Sequence, residues 1–519
     1  MDSYISNLIK SIQLSGHLAR VELVETHISW ILLTGKYAYK IKKPLALGFL
    51  DFSSLQKRAF YCQEELRLNS RLAPDIYLSV VPITGTLKSP QLNGTGETID
   101  YAVKMKQFPA NAELSHLVEN NQLYNEHIDS LAEIIAIFHQ KIDKTSSQSL
   151  LGTAELTHQT TLDTFNTLLE NLTDKKVIQR VKLIQSWCDQ TFSQMQSIFQ
   201  QRHDEGYIRE CHGDLHLRNI ALIKEKILLF DGVEFSESLR WIDVISEIAF
   251  LMMDLQHQDH QSMAFRLLNA YLEHSGDYQS LQLLPYYLVY RTIVRAMVAT
   301  LRASQADVDA DERLRLKDEI LTYLSLAETY ISPKEPILLI CHGLSASGKS
   351  TISQSILENL PAIRLRSDVE RKRLFGFAKY QPTESALGEN IYHQSATDKT
   401  YQRLKELAYS TLQSGFNVIV DATFLSRFQR QEFYLLANSA QVKFIILDFL
   451  ATENVLHERI KKRTKNNRSA SEADINILLN QIENQELLSA EELDFTLQID
   501  TESAFQFPHF LQQLISGNS

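Results

Sequence analysis

The C-terminal part of the chain alternates short apolar runs with amphipathic segments. Strand-like segments lie at residues 337–341, 363–365, 417–420, 442–449 and 495–499. The first of them, 337–341, is wholly apolar, which is typical of a strand that is buried on both faces. Segments with helical periodicity separate the runs. The pattern predicts an α/β domain with a parallel sheet.

The N-terminal part has a different order of elements. Alternating positions predict antiparallel strands at 21–34 and 37–42, joined by a turn at Gly35–Lys36. A helix is expected around 55–72, and further strands are expected at 77–83 and 101–107. Helical periodicity then dominates residues 111–200 and 246–330. A small sheet-rich lobe followed by a large helical lobe predicts an α+β arrangement.

A proline-containing segment separates the two patterns. Pro333 and Pro336 cannot lie inside a helix, and they stiffen the connection. A length of 519 residues also favours two or three domains. The predicted divisions are an N-lobe over 1–108, a helical C-lobe over 109–331, a linker over 332–336 and an α/β domain over 337–519.

Composition and charge restrict the classes of function. With 52 Lys and Arg against 63 Asp and Glu, the net charge is −11, which disfavours a general nucleic-acid surface but leaves room for a local basic groove. The 4 cysteines lie far apart, so neither a disulfide framework nor a zinc site is expected. The sequence has no long apolar run and no leader pattern at Met1. We therefore expect a cytoplasmic protein with no membrane partner.

A phosphate-binding motif follows the first apolar run of the α/β part. Residues Gly343–Ser350 match G-x-x-x-x-G-K-[ST] between a strand and a helix. Backbone N–H groups of such a loop surround phosphate oxygens, and the helix N-terminus adds positive charge. Lys349 is predicted to reach the β- and γ-phosphates of ATP, and Ser350 to bind Mg²⁺. The predicted nucleotide-binding residues here are Gly343, Ser345, Ser347, Gly348, Lys349, Ser350 and Thr351.

Two carboxylates follow other strands of the same part. Asp421 ends an apolar run near the expected phosphates, where it would hold Mg²⁺ or contact substrate, or else cap a helix. Asp368 lies at a strand's carboxyl end, where ligands bind in open α/β sheets. An acceptor hydroxyl needs such a carboxylate to orient it and take its proton. Arg371 would hold an anionic substrate group, unless the basic run at 371–373 is a solvated helix face.

A second basic group comes later in this part. Arg459 and Arg463 are four residues apart and share one helix face, in a cluster that extends to Arg468. Small-molecule P-loop kinases cover the transferring phosphoryl group with a mobile, arginine-bearing lid. We predict that Arg459 and Arg463 contact the nucleotide, with a solvated basic helix as the alternative.

Residues 335–519 resemble the predicted-kinase branch of the P-loop phosphotransferases. They are similar to gluconate kinases, chloramphenicol phosphotransferase, zeta toxins and the kinase half of polynucleotide 5′-kinases. The segment R-S-D-x-x-R followed by Leu374-Phe375 looks most like the group whose aspartate takes a proton from the acceptor hydroxyl. The resemblance implies this role for Asp368 and a substrate or phosphate contact for Arg371.

A second motif lies in the helical part of the N-terminal half. His212–Asn219 reads H-x-D-x-x-x-x-N, and an apolar run that ends in Asp231 follows it. The arrangement matches the catalytic loop and the metal-binding aspartate of protein-kinase-like folds. Asp214 would orient or deprotonate an acceptor hydroxyl, whereas Asn219 and Asp231 would hold Mg²⁺ on the phosphates of ATP.

The form H-G-D-L-H-x-x-N resembles the aminoglycoside phosphotransferase and choline kinase family over residues 20–305. That family needs a strand lysine, and the resemblance assigns this role to Lys40, with Lys42 on the same strand face as the alternative. The helix partner would be Glu64 or Glu65, with Glu65 preferred. Asp231 departs from the usual pattern because Gly-Val-Glu follows it, so Glu234 adds a carboxylate for metal or substrate.

These observations together predict an ATP- and Mg²⁺-dependent phosphotransferase with two sites that act on hydroxyl groups of small molecules. One alternative is that the P-loop half phosphorylates the 5′-hydroxyl of a polynucleotide, which the acidic balance disfavours. Another is a regulatory protein in which one half senses nucleotide and controls the other. The sequence leaves open the acceptors, the choice between ATP and GTP, and the oligomeric state.

Overall fold

The computed structural model describes residues 3–16, 20–47, 50–383, 391, 393–463 and 474–516. Its contacts divide the chain into two compact units. The first unit contains residues 1–127, 137–254 and 290–321, and the second contains 128–136, 255–289 and 322–519. Among the described residues, no helix is both long enough and apolar enough to cross a membrane.

The strands of the N-terminal half fall into an early group and a later group of short strands. They are β1 (Glu22–Glu25), β2 (Ser29–Leu33), β3 (Tyr37–Lys42), β4 (Ala46–Leu47), β5 (Leu50–Asp51), β6 (Tyr77–Thr86), β7 (Ser89–Leu92), β8 (Thr98–Lys106), β9 (Ile208–Glu210), β10 (Ile220–Ile223), β11 (Lys226–Leu229) and β12 (Trp241–Asp243). The helices of this half are α1 (Ser3–Gly16), α2 (Leu55–Asn69), α3 (Leu114–Glu119), α4 (Asn125–Lys141), α5 (Ala154–Glu170), α6 (Lys175–Asp204), α7 (Glu237–Arg240), α8 (Val244–His257), α9 (Gln261–Ser275), α10 (Leu284–Ala303) and α11 (Ala310–Ile331).

An antiparallel sheet of six strands, in the order β1-β2-β3-β8-β6-β7, forms the first part of the first unit. Its strands alternate between two environments, as the pleat requires. Ile41 of β3 is buried with the apolar side of α1, whose Ile5 and Leu8 share the same cluster. The neighbouring side chains of β3, Lys40 and Lys42, therefore lie on the opposite face. The predicted α+β arrangement of this half is confirmed.

Two details of this sheet differ from the sequence prediction. The single strand expected at 21–34 is two strands, because Thr26 and Ser29 form a tight turn. The Thr26 hydroxyl donates to the carbonyl oxygen of Ser29 at 3.1 Å and accepts from its N–H at 3.0 Å. Helix α1, which the sequence analysis did not assign, supplies apolar side chains that cover one face of the sheet.

The C-terminal half alternates strands and helices throughout. Its strands are β13 (Ile337–His342), β14 (Ala362–Arg366), β15 (Asn417–Asp421), β16 (Lys443–Leu450) and β17 (Thr496–Asp500). Its helices are α12 (Lys349–Asn359), α13 (Ser367–Leu374), α14 (Gln394–Gln413), α15 (Arg427–Ala440), α16 (Glu453–Arg463), α17 (Ile475–Asn484), α18 (Ala490–Leu493) and α19 (Phe507–Ser516).

These strands form a wholly parallel sheet in the order β14-β15-β13-β16-β17. Leu339, Ile419 and Leu447 of the central strands pack in one core with Ile356 of α12 and Phe510 of α19. The predicted parallel α/β fold is confirmed. Because all strands point the same way, their carboxyl ends meet at one edge of the sheet, where ligands bind in such folds.

Helix α9 belongs to the second unit, and its side chains contact β14, one of the two edge strands of the parallel sheet. The amide of Asn269 donates to the carbonyl oxygen of Ala362 at 2.9 Å and accepts from the N–H of Arg364 at 2.7 Å. An edge strand otherwise presents unpaired backbone groups. The Asn269 side chain thus acts on β14 as a neighbouring strand would.

Candidate functional sites

The first unit gathers a lysine and two carboxylates from three separate parts of its sequence. The Lys40 ammonium lies 2.9 Å from Glu65 of α2 and donates a hydrogen bond to Asp231, which follows β11. Lys40 and Glu65 are buried, whereas the side chain of Asp231 is 46% exposed and accessible to a ligand. Burial opposes the charged lysine, but Asp231 and Glu65 outweigh it and raise the pKa of Lys40.

A second ion pair lies beside the first. Lys42 is fully buried and contacts Glu65 at 2.7 Å, and it also donates to Glu234. Burial is the largest effect on Glu234 and raises its pKa, with Glu65 acting in the same direction and Lys42 opposing it. Both lysines therefore bind Glu65, and only Lys40 of the two also contacts Asp231 among the described ion pairs.

The other glutamate considered for this role lies elsewhere. Glu64 pairs with Arg67 at 2.8 Å, on the same helix. The structure thus brings Glu65, and not Glu64, next to the strand lysines.

The backbone at Asp231 has a left-handed conformation, with φ of +64°. Such a conformation is uncommon for residues other than glycine. Neighbouring side chains hold it: the N–H of Asp231 donates to the Tyr77 hydroxyl at 3.1 Å, and the N–H of Gly232 donates to Asn69 at 2.8 Å. The sequence analysis did not select Tyr77 or Asn69, because hydrogen bonds to backbone groups leave no motif.

The predicted catalytic loop brings Asp214 and Asn219 together. The Asn219 amide donates to the Asp214 carboxylate at 3.0 Å and to its carbonyl oxygen at 2.9 Å, while His216 lies 3.4 Å from the carboxylate. Burial would raise the pKa of Asp214, but His216, Arg295 and His212 outweigh it and hold this pKa below its usual range. Asp214 is therefore ionised near neutral pH and able to accept a hydrogen bond.

Buried side chains support the backbone of this loop. Glu247 accepts from the N–H of Gly213 at 2.8 Å, and Asp254 accepts from the N–H of Leu217 at 2.8 Å. His212 lies 2.9 Å from the carbonyl oxygen of Phe230, next to Asp231. These contacts fix the positions of the polar residues of the loop. The sequence analysis did not select Glu247 and Asp254, although acidic residues on a mainly apolar helix such as α8 indicate buried polar contacts.

The predicted phosphate-binding loop of the second unit lies between β13 and α12. Gly343 has φ of +135° and Gly348 has φ of +96°, values that favour glycine. A Cβ atom on Gly343 would also lie 2.8 Å from the carbonyl oxygen of Phe449. Lys349, the first residue of α12, extends back over the loop and donates to the carbonyl oxygens of Gly343 at 2.9 Å and Leu344 at 2.6 Å.

The predicted metal-binding pair of this unit is in direct contact. The Ser350 hydroxyl donates to Asp421 at 2.7 Å, across the edge where β15 ends. Asp421 is the final residue of β15, and α15 begins only after Ser426, so Asp421 does not cap that helix. Arg366, which the sequence analysis did not select, lies 3.7 Å from the same carboxylate.

A cavity of about 960 Å³ opens in front of this loop. Its lining includes the predicted nucleotide and acceptor residues Ser345, Gly348, Lys349, Ser350, Thr351, Asp368, Arg371, Asp421 and Arg459.

Arg371 is buried and donates to the carbonyl oxygen of Ile391 at 3.0 Å and to Thr397 at 3.1 Å. The basic run is therefore not a fully solvated helix face. Ser347 is buried and lies 3.4 Å from the ammonium group of Lys349.

The arginine helix reaches the loop through one of its predicted residues. Arg459 donates to the carbonyl oxygen of Ala346 at 3.3 Å and to the Thr501 hydroxyl at 3.0 Å. Arg463 ends α16, and its side chain lies outside the described residues, as does Arg468. Gln481 of α17 also reaches the loop and accepts from the N–H of Ser345 at 2.8 Å.

Comparison with known proteins finds a family match within the second unit. Residues 338–488 match the family model of an AAA domain. Over most of its length the chain is also similar to uncharacterized proteins of Mycobacterium tuberculosis and Mycobacterium bovis. Each is 27% identical over 454 residues, which cover 87% of this chain and 88% of the relative.

Solved structures of kinases are similar to one half or the other. Amicoumacin kinase, in complex with AMP-PNP and Ca²⁺, is 12% identical with a TM-score of 0.38, over 60% of this chain and 90% of that one. A choline/ethanolamine kinase family protein from Mesorhizobium loti is 10% identical with a TM-score of 0.35, over 62% and 97%. A gluconokinase from Sinorhizobium meliloti is 21% identical with a TM-score of 0.24, over 36% and 92%.

Each half has the type of sheet that the sequence analysis predicts for it. The N-terminal half has a six-stranded antiparallel sheet, and the C-terminal half has a parallel sheet of five strands that begins before a P-loop motif.

Proposed function

We propose that the chain is an ATP-dependent phosphotransferase with two sites, each of which transfers the γ-phosphoryl group of ATP to a hydroxyl group of a small molecule. One observation carries the proposal: each half assembles its own lysine and carboxylate set. Lys40 contacts Asp231 in one half, and in the other Lys349 lies over the loop beside the Ser350–Asp421 pair. The proposed lobes are 1–108 and 109–331, and the proposed P-loop domain is 337–519 after a linker at 332–336.

In the first site, Lys40 would bind the α- and β-phosphates, with Glu65 fixing its ammonium group. Asp214 would accept a hydrogen bond from the acceptor hydroxyl and take its proton as the new P–O bond forms. Its lowered pKa keeps the carboxylate ionised, which suits orientation of the hydroxyl. Asn219, bonded to Asp214, would keep that carboxylate directed at the acceptor.

In the second site, the loop N–H groups and Lys349 would bind the β- and γ-phosphates, and Arg459 would approach them from α16. Asp368 begins α13 at the carboxyl end of β14 and lines the same cavity. It would accept the proton of the acceptor hydroxyl, and Arg371 would contact an anionic group of the acceptor. Positioning and charge neutralisation are sufficient for this chemistry, so no covalent intermediate is needed.

Both donor sets fit Mg²⁺, which prefers oxygen ligands. Asn219 and Asp231, with Glu234 nearby, offer amide and carboxylate oxygens in the first half, and Ser350 and Asp421 offer a hydroxyl and a carboxylate in the second. Bound there, Mg²⁺ would neutralise charge on the phosphate oxygens.

The polynucleotide alternative is less well supported. A surface that tracks a nucleic-acid backbone needs several accessible cations. Arg371 and Lys372 are buried, so the basic run of α13 contributes little to such a surface.

Separate substitutions test whether the two sites act independently. Lys349→Ala and Asp214→Asn are each assayed with γ-labelled ATP against a panel of small alcohols, and the double variant is assayed beside them. We expect each single variant to lose one acceptor activity and the double variant to lose both. Lys226→Ala serves as a control, because Lys226 forms an exposed ion pair with Asp75 at 3.5 Å. Loss of all turnover in either single variant would contradict two independent sites.

A further inference from the structure

Helix α9 carries a buried carboxylate that the proposed chemistry does not use. Glu273 is 3% exposed and lies one helical turn beyond Asn269, so both side chains share the helix face that reaches β14. Isolated charges are rarely buried without partners. The contacts of Glu273 therefore indicate what the carboxylate is for.

Four cationic side chains of the P-loop half contact Glu273. Its carboxylate lies 2.9 Å from Arg364, 3.4 Å from Arg366 and 2.7 Å from Lys379, and its carbonyl oxygen accepts from Arg373 at 2.7 Å. Burial opposes ionisation, but Arg364, Arg366 and Lys379 outweigh it and hold the pKa of Glu273 well below its usual range. The cluster thus contains an ionised carboxylate with more than one positive charge around it.

Arg364 and Arg366 connect Glu273 with the predicted phosphate-binding helix, α12. Arg364 and Arg366 lie two apart on β14 and so share a face of the strand. Arg364 donates to the carbonyl oxygen of Ser350 at 3.0 Å, and Arg366 lies 3.7 Å from Asp421. Asp421 in turn accepts from the Ser350 hydroxyl at 2.7 Å. Two short paths therefore connect Glu273 with Ser350.

We infer that Glu273 is a positioning residue for the P-loop site. Because Arg366 contacts both Glu273 and Asp421, its positive charge is divided between the two carboxylates. Asp421 therefore keeps enough negative charge to bind a divalent cation together with Ser350. This inference rests on the proposed function, because it assigns Glu273 to the nucleotide site of the second unit. It also explains why a helix outside the predicted P-loop domain supplies a charged residue to that site.

The sharing of Arg366 predicts effects of opposite sign on two ligands. In a Glu273→Gln variant, Arg366 would lose one carboxylate and interact more strongly with Asp421, and the site would gain positive charge. Mg²⁺ would bind more weakly, whereas metal-free ATP, an anion, would bind equally well or more tightly. A variant that only loosened the fold would weaken both.

The test uses the full-length protein with Asp214→Asn and Lys40→Met in the background, so that nucleotide binding reports the P-loop site. Binding of a fluorescent ATP analogue is titrated in EDTA and then against increasing Mg²⁺. For Glu273→Gln we expect the half-saturating Mg²⁺ concentration to rise at least about tenfold, because at an effective dielectric constant of ~20 two unit charges as far as ~12 Å apart already give that factor. Affinity in EDTA should stay equal or rise.

Glu358→Gln is the matched control. Glu358 is also an acidic partner of α9, through Arg266 at 2.6 Å, but in the described ion pairs it contacts neither Arg364 nor Arg366. It should leave both titrations unchanged. If Glu273→Gln does not fold, Arg366→Gln replaces it; this variant removes the shared cation itself, and the half-saturating Mg²⁺ concentration should then fall.

The outcomes separate this inference from the proposed function. Glu273→Gln titrations that match those of Glu358→Gln, or parallel losses with and without Mg²⁺, would overturn the positioning role and leave the nucleotide site intact. Failure of the background protein to bind ATP at all, with Lys349→Ala making no difference, would overturn the proposed function of this half together with the inference.

Discussion

Replacing Lys42 with methionine would remove the charge at the centre of a buried ion-pair group. Lys42 is fully buried and contacts both Glu65 and Glu234. Without it, Lys40 would be the remaining cationic partner of that group among the described ion pairs. Because burial already raises the pKa of Glu234, this carboxylate would become protonated in the folded variant.

The magnitude follows from the cost of that proton. Bringing a glutamate with an ordinary pKa of ~4.3 to its neutral form at pH 7 costs about 3–4 kcal/mol, at ~1.4 kcal/mol per pH unit. The folded Lys42→Met variant would hold a proton that the unfolded chain releases. Its stability should therefore fall as the pH rises, by up to ~1.4 kcal/mol per unit between about pH 5 and 7.

The assay is urea unfolding of the first unit at several pH values, followed by Tyr and Trp fluorescence. Lys42→Met/Glu234→Gln should regain most of the lost stability, because the uncompensated carboxylate is gone. Lys43→Met is the matched control: Lys43, the next residue in the chain, pairs with the exposed Glu25 at 2.7 Å, and the loss of this pair should cost less than about 1 kcal/mol. A loss for Lys42→Met that is independent of pH, or no recovery in the double variant, would refute this reasoning.

Two further predictions concern the catalytic loop and the second unit. His216→Ala removes the largest of the effects that lower the pKa of Asp214 against burial, so the acidic limb of the pH–rate profile of the first site should move to higher pH; an unchanged limb would contradict the role of Asp214. Arg430 is buried and binds Glu492 at 2.6 Å, so Arg430→Met should cost about 3–5 kcal/mol in thermal or urea unfolding. The exposed Arg427, as Arg427→Met, should cost less than about 1 kcal/mol, and equal losses would contradict the argument from burial.

The sequence was sufficient for elements whose burial follows a regular pattern. Strands β13 and β15 were predicted because they are apolar on both faces, and Gly343–Ser350 was selected because its spacing matches a phosphate-binding loop. Helix α1 was missed, although its apolar face packs on the first sheet. Nothing in a short N-terminal segment indicates that a distant sheet will bury it.

The pairing of charged residues was harder to predict than the motifs themselves. Period two placed Lys40 and Lys42 on one face of β3, but it could not tell which carboxylates they meet. That distinction depends on α2 and on the turn after β11, which bring Glu65, Asp231 and Glu234 to the strand. Their assigned roles in binding and catalysis remain predictions for the experiments above.

Glu273 and Arg366 had no detectable sequence signal. Glu273 is one charged residue of a helical segment and Arg366 is one of a basic segment. The two residues are 93 positions apart in the sequence. Only the packing of α9 on β14 brings them together.

The hydrogen bonds between Asn269 and β14 have a consequence for the history of the chain. Two fused domains can separate again when a gene splits between them, and the predicted linker at 332–336, with Pro333 and Pro336, is the expected place for such a split. A fragment beginning at residue 332 would lose the amide that pairs with Ala362 and Arg364, and would leave an open strand edge prone to self-association. Selection would therefore act against that fission, and descendants of this protein should keep both halves in one polypeptide.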